Sequence, residues 1–135
     1  MKALIAALMF VFASGAWAQG KPLACQVDAA GGLKWENGQW NVRSFVLKKF
    51  ILVMEGGKLT DDSLNKATNL PSFFWSCEVL TSEKRNLCRS STGAIVVYYS
   101  PLTNKGAISS LHGAIDDDLA SRDTVVVQAF TCQPF

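Results

Sequence analysis

The sequence predicts a mostly β fold: a small antiparallel sandwich or barrel of roughly seven or eight strands, with one short helix near residues 61–68 and two disulfides. Three observations carry this expectation. Short apolar or alternating runs recur along the chain, separated by Gly, Asn, Asp, Ser and Pro at the spacing of strands in small β domains. Only one stretch has helix start and stop signals. Four cysteines, Cys25, Cys77, Cys88 and Cys132, form an even set with spacings of 52, 11 and 44 residues, too wide for the paired ligands of a zinc site.

The chain opens with Met1 and Lys2, followed by an apolar run over residues 3–13 and the small residues Ala16 and Ala18 around Trp17. That layout predicts a secretory signal peptide over residues 1–18, cleaved before Gln19. The run is too short for a spanning helix, which needs about 20 apolar residues. Cys25 follows Leu23-Ala24, but Lys21 and Pro22 break the pattern a lipid-anchor site would need. The expected mature protein is a single β-rich domain over residues 19–135, periplasmic or secreted, with paired cysteines. Without Lys2, 12 cations stand against 11 anions, a net charge of +1. Arg and Lys gather on no single predicted element, so the sequence offers no nucleic-acid footprint. The pairs Lys48-Lys49 and Lys84-Arg85 read as solvated loop or edge positions.

The first element is a hairpin over residues 33–42. Asn37-Gly38 is the favoured centre of a two-residue turn in which both residues take positive φ. Counting back from it sets Trp35 opposite Trp40 and Leu33 opposite Val42, all on one face. Lys34, Glu36, Gln39 and Asn41 then share the other. Residues 44–54 (SFVLKKFILVM) predict a strand that ends at Gly56-Gly57 and is kinked or bulged at Lys48-Lys49. Gly31-Gly32 and Gly56-Gly57 read as turn glycines, with no phosphate-binding pattern around either. Residues 60–68 predict the helix. Thr60 caps it, Asp61 and Asp62 complement its dipole, Leu64 and Ala67 face inward, and Pro71 prevents continuation.

The remainder predicts an antiparallel meander. Residues 73–80 and 86–89 flank the polar loop TSEKR. Residues 94–100 form the clearest buried strand, 107–115 a strand of smaller residues, and 124–132 the closing strand. If Leu80 faces Arg85, then Cys77 faces Cys88 across a hairpin, which leaves Cys25 to pair with Cys132 between the first and last strands.

No catalytic, metal or cofactor motif stands out. His112 is the only histidine, and a hydrolase reading would combine it with Ser109 or Ser110 and one of Asp116, Asp117 and Asp118. No nucleophile elbow supports it. The Asp116–Asp118 run lacks the alternation and distal Glu of a calcium loop, and Arg122-Asp123 reads as a structural clasp. The better binding candidates are aromatic: Trp35, Trp40, Phe73, Phe74, Trp75, Tyr98 and Tyr99. Neighbours in a strand point to opposite sides, so some of these rings face away from the core, as on ligand or partner surfaces. The expected function is therefore a non-enzymatic binding or protein-interaction module of the envelope, acting on an unknown protein or small ligand, with no cofactor. The alternative is the small hydrolase.

Overall fold

The computed structural model describes residues 20–70, 73–82, 84–111 and 124–135. The expected signal peptide, Gln19, Pro71, His112, the Asp116–Asp118 run and Arg122-Asp123 lie outside them. The fold is mostly β: nine antiparallel strands form one sheet that nearly closes into a barrel, with one short helix and two disulfides. The strands are β1 Lys21–Glu36, β2 Gln39–Ser44, β3 Lys49–Glu55, β4 Lys58–Leu59, β5 Trp75–Leu80, β6 Arg85–Ser90, β7 Ile95–Ser100, β8 Lys105–Ser110 and β9 Thr124–Pro134, and α1 is Asp61–Thr68.

The sheet order is β4-β3-β1-β9-β8-β7-β6-β5, with β2 also paired to β1. Most steps in that order are short hairpins, as turn chemistry dictates. Asn37 and Gly38 take φ of 55° and 77° between β1 and β2, and Gly56 and Gly57 take 57° and 83° between β3 and β4. The barrel comes close to closing where β4 meets β5, and there the Cys77 sulfur lies 3.8 Å from the Leu59 carbonyl oxygen.

The first strand is the main departure from the sequence reading, which gave no bounds to a strand around Cys25 and began the hairpin at Leu33. β1 is 16 residues long and organises the sheet. One edge pairs with β9 along most of its length. The other pairs with β3 over residues 21–26 and with β2 over residues 31–36. Gly31 and Gly32 are therefore mid-strand residues, not a turn. Gly32 is required by a close approach, because a Cβ there would sit 1.8 Å from the Val125 carbonyl oxygen. The run 44–54 is split between two strands: β2 ends at Ser44 and β3 begins at Lys49. The kink expected at Lys48-Lys49 is the point where the chain passes from one half of β1 to the other.

Inward-facing residues fill the barrel. Val27, Leu52, Val97, Tyr99 and Phe130 are fully buried, and Phe130 meets Phe50 edge-on at 5.2 Å and stacks over Tyr99 at 6.4 Å. The helix packs Leu64 and Ala67 into this core. Thr60 stands at the cap position as expected, but its hydroxyl donates to Ser63 Oγ and accepts no hydrogen bond from the backbone N–H groups of the first turn. The helix ends on Asn69, whose left-handed φ of 62° closes the last turn. Asn65 ties the helix to the start of β5: its Oδ1 accepts from Trp75 Nε1 at 2.8 Å, and its Nδ2 donates to the Phe73 carbonyl.

Both disulfides lie across directly opposed residues. Cys25 pairs with Cys132 between β1 and β9, and Cys77 with Cys88 between β5 and β6. Register alone brings each pair of Cα atoms to about 4 Å, 4.0 and 4.1 Å respectively.

Candidate functional site

The aromatic candidates separate into buried and exposed rings by strand alternation. Trp75 and Tyr99 face the core. Tyr99 donates its hydroxyl to Asn104 Oδ1 at 3.1 Å, and burial pushes its pKa up. Phe73 packs partly against the core. Phe74 is 81% exposed ahead of β5, and Tyr98 stands on the outer face of β7. Trp35 and Trp40 are 39% and 41% exposed. They oppose each other across the hairpin as expected, with ring centroids 5.3 Å apart in an edge-to-face contact.

Why these two tryptophans face outward is decided by a single residue. In the lower half of β1, Leu23, Cys25 and Val27 point into the barrel. Strict alternation would carry residues 29, 31, 33 and 35 inward as well. Instead Val27 pairs with Phe130 and Ala29 with Ala129, leaving Asp28 as an extra residue in a β-bulge. Asp28 Oδ2 accepts a 2.6 Å hydrogen bond from Thr131 Oγ1 beside this bulge. The bulge exchanges the two faces of everything beyond it. Even-numbered Ala30, Gly32, Lys34 and Glu36 take the inward side, and Leu33 and Trp35 the outward side.

The outward side is apolar and continuous. Leu33 opposes Val42 on β2 and Val125 on β9, and Gly31 opposes Ser44 and Val127. Val42 is 83% exposed. Together with Trp35 and Trp40 these side chains form a patch over three strands that carries no charged residue. The reverse of the same hairpin is polar. Glu36 accepts from Lys34 Nζ at 2.6 Å and from Arg43 Nη2 and Nε at 2.5 and 3.1 Å. These two cations hold the Glu36 carboxyl below the ordinary range, Lys34 foremost.

The mouth of the barrel near α1 holds a cavity of about 210 Å³, lined by Lys48, Thr68, Ile95, Ser110 and Gln128 among others. Lys48 is a correction to its reading as a solvated position. It is half-buried, its ammonium donates to the Ala67 carbonyl at 2.5 Å, and desolvation lowers its pKa. Ser110 faces this cavity, whereas Ser109 lies on the outer face opposite Val127. The structure brings no acid or histidine to Ser110 among the described residues lining the cavity. At the opposite mouth, a cleft of about 800 Å³ lies between Leu23, Met54, Tyr99, Pro101, Asn104 and Phe135. The sequence reading missed both concavities. Their lining residues come from strands far apart in the chain and share no motif.

No protein-family model, curated protein or solved structure matches this chain.

Proposed function

We infer that this chain is an exported, non-enzymatic protein-interaction module that engages its partner through the outward face of the β1–β2 hairpin. The observation carrying this reading is the bulge at Asp28. It turns Leu33 and Trp35, with Trp40 and Val42, away from a core that their chemistry suits. Removing apolar surface from water is favourable by roughly 25 cal/mol per Å², a gross gain from which the entropy cost of association is subtracted. A tryptophan pair within a charge-free patch has the composition of an interface hot spot. The pairing of all four cysteines supports a location in an oxidising compartment, periplasmic or secreted.

The test is comparative capture from envelope extract with three immobilised proteins: the natural domain, the Trp35→Ala/Val42→Thr variant, and Leu102→Ser as a control. Leu102 is an exposed apolar residue in the β7–β8 turn, away from the hairpin. The expected result is a partner retained by the natural protein and the control and lost by the hairpin variant, with circular dichroism unchanged in all three. Identical protein sets on all three columns would refute the assignment.

A further inference from the structure

The geometry points to the kind of partner this face takes: an extended segment that adds as an antiparallel β-strand to the open edge of β2, with apolar residues at every second position and an acidic residue between them. This rests on the interaction reading above and specifies its mode. In the hairpin, Gln39, Asn41 and Arg43 exchange backbone hydrogen bonds with Glu36, Lys34 and Gly32, because a two-residue turn makes its flanking residues a hydrogen-bonded pair and the pattern alternates from there. Phe45 N donating to Ala30 O at 3.1 Å continues the series. Trp40, Val42 and Ser44 therefore direct their N–H and C=O groups away from β1. Among the described residues no strand pairs with that edge.

Natural sheet edges of this kind are shielded by proline, lysine, bulges or covering elements. β2 reads QWNVRS: it holds no proline, lysine or bulge, and its one charge, Arg43, is turned to the reverse face and held by Glu36. The residues whose backbone is open, Trp40 and Val42, are those whose side chains stand on the apolar face. An added strand would satisfy the backbone and cover the apolar patch with the same residues, the recognition mode in which main-chain bonds supply affinity and alternate side chains supply specificity.

Charge specifies the other half of the pattern. On the reverse face two cations, Lys34 and Arg43, share one carboxylate, Glu36, leaving a net positive charge. Partner residues opposite Asn41 and Arg43 point to that side. An acidic residue there meets Arg43, while the residues opposite Trp40 and Val42 are apolar.

The probe is an end-capped peptide, Thr-Val-Glu-Val-Glu-Val-Thr, titrated into the full mature domain by NMR and calorimetry. Two N-methylated versions separate strand pairing from mere apolar contact. Methylating the valine amides removes the N–H groups that face β2, and methylating the glutamate amides removes those that face away. The expected result is binding that weakens at least tenfold with valine methylation and changes less than twofold with glutamate methylation. Slowed amide exchange at Trp40, Val42 and Ser44 should accompany it. Replacing both glutamates with lysine should weaken binding severalfold. If valine methylation has no effect while Trp35→Ala abolishes binding of every peptide, strand addition is overturned and the apolar face remains the interaction site. If no peptide binds at millimolar concentration, the proposal fails whatever the capture experiment shows. Protection of Trp40 and Val42 amides without peptide, rising with protein concentration, would assign the edge to a second copy and also overturn it.

Discussion

The two disulfides should differ sharply in what they contribute to stability, and the difference follows from loop length. Cys25–Cys132 spans 107 residues and Cys77–Cys88 spans 11. In the chain-entropy account, closing loops of these lengths restricts the unfolded chain by about 4.8 and 2.8 kcal/mol respectively. Three of the four half-cystines are fully buried and Cys77 is partly so, so the local cost of a Cys→Ser change is similar at both sites and largely cancels. The gap left is about 2 kcal/mol. For a domain of this size that corresponds to roughly 8 °C in melting temperature. The assay is thermal unfolding by circular dichroism of Cys25→Ser/Cys132→Ser and Cys77→Ser/Cys88→Ser beside the natural protein, with guanidinium midpoints as a second measure. Equal losses, or a larger loss from the 77–88 pair, would show that native-state packing and not chain closure sets the contribution, and the reasoning from loop length would fall.

Deleting Asp28 should straighten β1 without turning the hairpin over, since Val27 and Ala29 already pair with adjacent residues of β9. The expected cost is about 1 kcal/mol for the lost Asp28–Thr131 hydrogen bond, with tryptophan quenching by acrylamide unchanged; a large drop in quenching would contradict the bulge assignment. Gly106→Ala should lower stability by about 3 kcal/mol. The new Cβ would sit 2.2 Å from the Phe130 ring and 2.4 Å from the Tyr98 carbonyl, and neither a buried ring nor a paired backbone can give way. Gly31→Ala meets only ordinary contact at 3.7 Å, so its melting temperature should stay within a few degrees of the natural protein's. Burial raises the Tyr99 pKa above its ordinary 10.0. The stability tied to the neutral hydroxyl is therefore complete below pH 10 and lost as pH rises through the folded value. Guanidinium midpoints measured between pH 9 and 11 should fall more steeply for the natural protein than for Tyr99→Phe.

Where a residue's partners are set by local chemistry, the sequence was readable. Asn37-Gly38 dictates its own turn, and once the turn is set, counting outward pairs Trp35 with Trp40. The Cys77–Cys88 pairing follows from an equally short-range rule, whereas the helix ends on Asn69, which the sequence reading did not single out. Strand β1 was not legible through its middle, because Ala29, Ala30, Gly31 and Gly32 have weak strand preference and are held in the sheet by pairing with β9. Lys48 looked solvated because nothing near it in sequence shows that the helix would bring the Ala67 carbonyl to its ammonium. The Ser110 cavity and the cleft at Tyr99 likewise exist only once distant strands meet.

By itself, then, the sequence determined which hairpin side chains stand together: alternation puts Leu33, Trp35, Trp40 and Val42 on one side and the Glu36 cluster on the other. Which of those sides faces the barrel was decided by the tertiary structure alone. A hairpin has no inside until it is joined to a sheet, and the joint here contains one unpaired residue, Asp28. A period of two carries no memory across an extra residue, so the ladder between β1 and β9, and not the apolar pattern, left the tryptophans on the surface.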